Sequence, residues 1–346
     1  MSIRRIAQAL SVAALLLAAA GPAGAKTKVV IGEQTWTGAV AIQHVLKVIM
    51  EKYLDGEVSA ITAAEPILWE AMDRGDGTAD ILSDAWTDHL PEQMNKFVVP
   101  GSKESILLNA KPYLGVEGIY IPGFVQDKYG IKTVADLAKP EMAKIFDSDG
   151  DGKGDWWAGA VGWEATNHSL VRAKSYGFDP HFTANTVEQP IFLAQLDAAM
   201  TKQQPILFYY WEPEWIHAVF DLRKLEEPKF DGYTTEDFKG TPRYKADGCY
   251  TFYQPGVAPD WLEKSKILCD QPPTSVYIAY AKALATRAPA IGKFLSQVVL
   301  TGDMVNDWIL AIDREKKKPE EVAKAWVDAN LSLVEGTWLK DVPRAN

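Results

Sequence analysis

Apolar residues recur at helical spacing over 39–54: Ile42, Val45, Leu46, Ile49 and Tyr53 share one face, and Gln43, Lys47 and Glu51 lie opposite. A short β-rich run, 27–32, precedes this helix, and a strand is expected over 58–62. Another helix over 66–74 and a buried strand over 79–85 follow. Strand and helix therefore alternate from the start, which predicts βαβ units and a mostly parallel sheet. Further on, a strand is expected over 116–122, a helix interrupted near Pro140 over 135–146, helices over 165–176 and 191–203, and a buried strand over 205–211. A short helix is expected over 215–222. Residues 226–273 are rich in Pro, Gly and Tyr and read as irregular, after which regular elements return over 275–280, 288–300, 304–312 and 320–334.

That order describes a chain that leaves one α/β lobe, builds another and returns. The expected division is 26–117 with 273–346 as lobe 1, and 118–272 as lobe 2. Open α/β sheets bind ligands beyond the carboxyl ends of their strands, so residues just after strands are the first to inspect.

Residues 1–25 carry Arg4 and Arg5, an apolar run and the small residues Ala23-Gly24-Ala25. They read as a secretory signal peptide, which places the product in the periplasm. The chain of 346 residues has 36 basic and 46 acidic residues, a net charge of −10. Such a balance argues against nucleic acid as a partner, because phosphate binding needs clustered Lys and Arg. Two cysteines, Cys249 and Cys269, follow the signal. Export makes a disulfide the expectation, contributing roughly 3 kcal/mol through the unfolded state; two free buried thiols are the alternative.

Twelve tryptophans are the most informative part of the composition. Trp36, Trp86, Trp163 and Trp211 each stand at or beside a strand or loop end. Each taken singly is also at home in a core. Together, their ring faces suit a weakly hydrated quaternary ammonium group, which has no N–H to satisfy. Glu117 interrupts an apolar strand; it reads equally as a partner for a cation or as a hinge carboxylate with a local partner. Asp147-Ser148-Asp149-Gly150-Asp151-Gly152-Lys153-Gly154-Asp155 matches the opening of a calcium loop, with Asp147, Asp149, Asp151, Lys153 and Asp155 as candidate metal residues. Position twelve is Ala158, so an EF-hand is not supported. A Ca²⁺ loop completed by other oxygens and a solvated acidic turn both remain open. Nucleophile and zinc motifs are absent from the sequence, and His44, His89, His168, His181 and His217 show no ligand spacing. No cofactor is required on this reading.

The sequence resembles the substrate-binding proteins of ABC transporters for quaternary ammonium osmolytes, the glycine betaine/proline betaine-binding family. The resemblance covers nearly all of the chain after the signal. It is carried by Trp36, by Asp84-Ala85-Trp86, by the stretch from Lys128-Tyr129-Gly130-Ile131 through Asp149-Gly150-Asp151-Gly152-Lys153 to Gly162-Trp163, and by Phe208-Tyr209-Tyr210-Trp211. It implies a two-lobed α/β periplasmic binding protein of type II that closes on a ligand in the interlobe cleft. It also implies that Trp86, Trp163, Trp211 and Trp36 box a methylated nitrogen. The trimethylamine N-oxide-binding members are similar in their Trp content, their acidic metal-binding loop and a carboxylate near the ligand, a role that falls on Glu117 in this chain. Some betaine binders carry a cysteine pair around the segment of Trp163, and this chain does not. The expectation is a monomeric, non-enzymatic binding component that delivers trimethylamine N-oxide to an inner-membrane permease. Glycine betaine and choline are the alternatives within the family, and an exported enzyme acting on methylated amines is the alternative outside it.

Overall fold

The computed structural model describes residues 26–344, so the expected signal peptide lies outside the described residues. Its centre is a ten-stranded sheet. Strands β1 (Thr27–Glu33), β2 (Gly56–Thr62) and β3 (Ile81–Trp86) form one end of it. Strands β4 (Ile106–Leu108) and β5 (Tyr113–Pro122) follow, then β6 (Gly154–Trp157), β7 (Phe182–Asn185), β8 (Leu207–Glu212) and β9 (Leu222–Lys224). Beyond a separate antiparallel pair, β10 (Tyr250–Thr251) and β11 (Lys266–Ile267), the last strand is β12 (Thr274–Ala281). The order across the main sheet is β2-β1-β3-β12-β5-β8-β6-β7, with β4 on β12 and β9 on β5.

Parallel pairing occurs where a helix supplies the crossover. Helix α1 (Thr37–Tyr53) joins β1 to β2, and α2 (Glu65–Arg74) joins β2 to β3. Helices α3 (Glu164–Tyr176) and α4 (Gln189–Lys202) do the same for β6, β7 and β8. Ile42, Val45, Leu46 and Ile49 of α1 are buried as the spacing predicts, but Gln43, expected on the opposite polar face, is buried as well, and a C-terminal helix, Pro319–Ala329, also packs against α1. Each such apolar side chain contributes about 1.5–3 kcal/mol on burial. α2 ends on Gly75 at φ 66°, where a Cβ would also come within 2.7 Å of Ala283 Cβ.

The expectation of a mostly parallel sheet holds within each end and fails between them. β12 runs antiparallel to β3, β4 and β5, and β5 runs antiparallel to β8 and β9. β5 changes neighbours along its length: Tyr113–Gly115 face β12, and Val116–Tyr120 face β8. One strand thus belongs to both ends of the sheet. Other elements differ in detail. Only Ile216–Val219 of the 215–222 segment is helical, and β9 follows directly. β6 escapes the hydrophobic pattern because its four residues begin inside the acidic, Gly-rich run. The irregular region contains the β10–β11 pair, and Cys249 and Cys269 are disulfide-bonded beside it.

The two ends of the sheet are also tied by side chains. The Thr37 N–H donates to Gln189 Oε1 at 2.9 Å, and Gln189 Nε2 donates to Tyr210 Oη and Glu214 Oε1, both at 2.9 Å. Asp313 accepts from the Thr37 hydroxyl at 3.0 Å and from Trp215 Nε1 at 3.3 Å. Gln189 is fully buried. Truncation leaves buried groups unpartnered, so Gln189→Ala is expected to cost about 1–3 kcal/mol in urea unfolding. An unchanged unfolding midpoint would remove the tie from the account of stability.

Candidate functional site

Four tryptophans arrive at one cavity from four places in the chain. Trp36 follows β1 and begins α1, Trp86 ends β3, Trp163 precedes α3, and Trp211 lies in β8. All four line the cavity, together with Glu65, His89, Glu117, Glu164, Ala165 and Tyr209. Trp163 stands nearly perpendicular to Trp36 and Trp211, at 5.6 Å and 79° and at 5.4 Å and 76°. Such edge-to-face corners leave ring faces available to a ligand. Trp86 stacks with His89 at 6.3 Å, and Tyr210 stacks on Trp211 at 4.4 Å.

Buried polar groups set these rings. Asp84, in β3, accepts from Trp36 Nε1 at 2.5 Å, Trp86 Nε1 at 3.3 Å and the Tyr113 hydroxyl at 2.5 Å. Burial pushes the Asp84 carboxyl up, and the three donors pull it back. The backbone N–H of Asp84 donates to Gln34 Oε1, and Gln34 Nε2 donates to the Asp84 carbonyl. Trp163 Nε1 reaches across to Thr35 Oγ1 at 3.0 Å, tying one end of the sheet to the other.

The acids of the cavity fall into two kinds. Glu117, in β5, accepts from the Tyr209 hydroxyl, and its Oε2 lies 2.8 Å from His89 Nε2. The ring nitrogen is poorly aligned for a hydrogen bond, so this is an ion-pair contact. Burial opposes both charges, yet their attraction wins: His89 is raised and Glu117 is lowered. Glu65 and Glu164 have no such partner among the described residues. Glu65 is pushed up to about 8 by burial and then by Glu164, and Glu164 is pushed up by burial. Weak donors reach each of them, Gln34 Nε2 at 3.4 Å and Asn167 Nδ2 at 3.3 Å. Among the described residues, no Lys or Arg lines the cavity.

The acidic loop gathers three of its five candidates. Asp147, Asp149 and Asp151 each present an oxygen within 4.8 Å of the others. Asp147 accepts the N–H groups of Gly150 and Gly152, and Asp151 accepts that of Lys153. Asp155 turns instead to the N–H and hydroxyl of Ser148. The loop leads into β6, where Trp157 stacks on Phe192 at 4.1 Å and meets Trp163 edge-on at 5.8 Å.

Sequence reasoning missed Glu65, His89, Glu164 and Tyr209. Period two along β8 places Tyr209 on the same face as Trp211, so that signal was present. Glu65 follows β2, where strand-end residues are candidates. His89 carried no signal, because its partner Glu117 is distant in sequence.

The family model described as the substrate binding domain of ABC-type glycine betaine transport systems matches residues 27–329. A glycine betaine/proline betaine-binding periplasmic protein of Salmonella typhimurium is 24% identical over 244 residues, covering 65% of this chain and 66% of that protein. The match thus spans just under two thirds of the relative. A structure of an ABC-transporter choline-binding protein with choline superposes with a TM-score of 0.66 at 18% identity, covering 91% of this chain and 92% of that one. The lactococcal protein OpuAC, closed on glycine betaine, gives 0.63 at 17%, covering 91% and 100%. These likenesses show the two-lobed binding-protein fold. The matched family and its relatives are binding proteins, which disposes of the enzymatic alternative.

One glycine guards the cavity wall. A Cβ at Gly115 would lie 2.1 Å from Trp86 Cζ3. Gly115→Ala is therefore expected to displace the Trp86 ring, change the intrinsic fluorescence and cost about 1–3 kcal/mol through overpacking. An unchanged spectrum and melt would show that the ring has room to move.

Proposed function

This chain belongs to the family of substrate binding domains of ABC-type glycine betaine transport systems, and from that premise we propose that it captures a small methylated amine in the periplasm and delivers it to an inner-membrane permease. The observation that carries this reading is the set of four indoles around one acid-lined cavity with no Lys or Arg among its described lining residues. Each ring face contributes about 0.5–2 kcal/mol to a desolvated quaternary nitrogen. Trp36, Trp86, Trp163 and Trp211 are the proposed walls, and Glu117, paired with His89, is the proposed carboxylate beside the ligand.

Trimethylamine N-oxide is the proposed ligand. A betaine brings a full carboxylate that calls for strong fixed donors, whereas an N-oxide brings one compact oxygen. A cavity lined by three glutamates and no guanidinium suits the second better. Glycine betaine or choline is the second reading, supported by the names of the relatives. The proposed lobes are 26–117 with 273–346, and 118–272, with β5 as part of the hinge. Ligand contacts from both lobes would favour the closed state. The protein is proposed to act as a monomer.

Calorimetry with trimethylamine N-oxide, glycine betaine and choline tests the reading. Micromolar or tighter binding of one of them is expected. Trp163→Ala or Trp211→Ala is expected to weaken it at least tenfold, about 1.4 kcal/mol, without unfolding. No heat with any methylated amine would overturn the function, and unchanged affinity in both variants would return those rings to packing.

We also propose that the acidic loop holds a structural Ca²⁺. Asp147, Asp149 and Asp151 present converging hard oxygens on a loop ordered by its own N–H groups. A chelator is then expected to lower the melting temperature, and added Ca²⁺ to restore it. Identical melts under both conditions would leave the loop a solvated turn.

A further inference from the structure

The cavity's charges do not balance. His89 answers Glu117 at 2.8 Å, and among the described residues no other basic side chain lines the wall. Glu65 and Glu164 remain, one from each side of the cleft: Glu65 is the first residue of α2, after β2, and Glu164 is the first of α3, after Trp163. Each is met by a long neutral amide contact, from Gln34 and from Asn167. Glu164 is buried and Glu65 half-buried, and carboxyls so desolvated without a cation are neutralised by protons or by what they bind.

We propose that Glu65 and Glu164 form a carboxyl pair that lets protons set which end group the site accepts. Protonated, the pair donates to an anionic oxygen of a zwitterionic ligand; ionised, it repels that oxygen and favours a ligand of net positive charge. The inference rests on the reading of this cavity as a methylated-amine site, and it assigns specificity to two residues outside the aromatic walls.

The surroundings support the direction. Around Glu65 stand Glu164, Asp84 and His89, and around Glu164 stand His89 and Glu92. Apart from His89 these neighbours are acids, and His89 is already engaged by Glu117. Desolvation of the half-buried Glu65, and then the neighbouring Glu164 carboxyl, push its carboxyl up to about 8, which favours the protonated form at neutral pH. Below that value a carboxylic O–H faces the ligand, and an N-oxide or carboxylate oxygen is held. Above it a carboxylate faces the same oxygen, and binding weakens. A permanent cation such as choline behaves in the opposite sense, because its binding expels the proton and is easier when the proton is already gone.

The test compares glycine betaine and choline by calorimetry between pH 6 and pH 9.5, on the full mature chain and on Glu65→Gln, Glu164→Gln and the double variant. Melting curves establish that each variant is folded, and the amide replacements keep the volume of the acids. For the unaltered protein, the betaine-to-choline affinity ratio is expected to fall at least tenfold as pH rises. In the double variant the ratio is expected to change less than threefold. Parallel pH profiles for the two ligands, or a double variant that keeps the full pH dependence of the ratio, would overturn the proposal while leaving the methylated-amine reading intact. Binding of neither ligand nor of trimethylamine N-oxide by the unaltered protein would overturn that reading, and the carboxyl-pair proposal with it.

Discussion

An indole that turns its face to a cavity must still satisfy its N–H. Three of the four cavity indoles meet that constraint through side-chain oxygens, and Asp84 serves two of them. One buried carboxylate fixes Trp36 and Trp86 at once, along with the Tyr113 phenol. Thr35 fixes Trp163 from the opposite side of the cleft. The contrast with the core is informative. Trp69, Trp308 and Trp338 are fully buried, and their indole N–H groups meet no partner among the described residues. Those rings serve by packing area alone, whereas Trp36, Trp86 and Trp163 are oriented by their hydrogen bonds.

Orientation requires both ends of the sheet to come together. β5 supplies the common strand, pairing first with β12 and then with β8. Glu117 sits just past that change of partner, within reach of His89 from one end and Tyr209 from the other. A single strand therefore carries a carboxylate to the place where the two halves meet. The Gln189 and Asp313 contacts close the same gap from outside the cavity. Because the Thr37–Gln189, Trp215–Asp313 and Trp163–Thr35 bonds cross between the ends, separating them would break polar contacts at several points together, and such losses are steep in a desolvated site.

Much of this is readable from residue order. The apolar stripe of α1, the alternation through β3 and the return to regular structure near 275 follow from periodicity that tertiary context does not override. The four tryptophans stand out because strand ends are where open sheets bind. β6 escapes notice because a four-residue strand beginning inside an acidic loop has no room to show a period. The antiparallel crossing of β5 and β12 escapes it because local pattern says nothing about which distant strand becomes a neighbour.

Residue order by itself determined the element types, the strand-end positions of the aromatic rings and the clustering of Asp147, Asp149 and Asp151, since each depends on spacing of a few residues. Tertiary structure alone decided that Glu117 meets His89, that Asp84 serves two indoles and a phenol, and that Glu65 and Glu164 share one cavity without a base of their own. The reason is physical. The ionisation of a carboxyl follows from its desolvation and its neighbours, and those neighbours come from segments tens of residues away that only folding brings within a few ångströms.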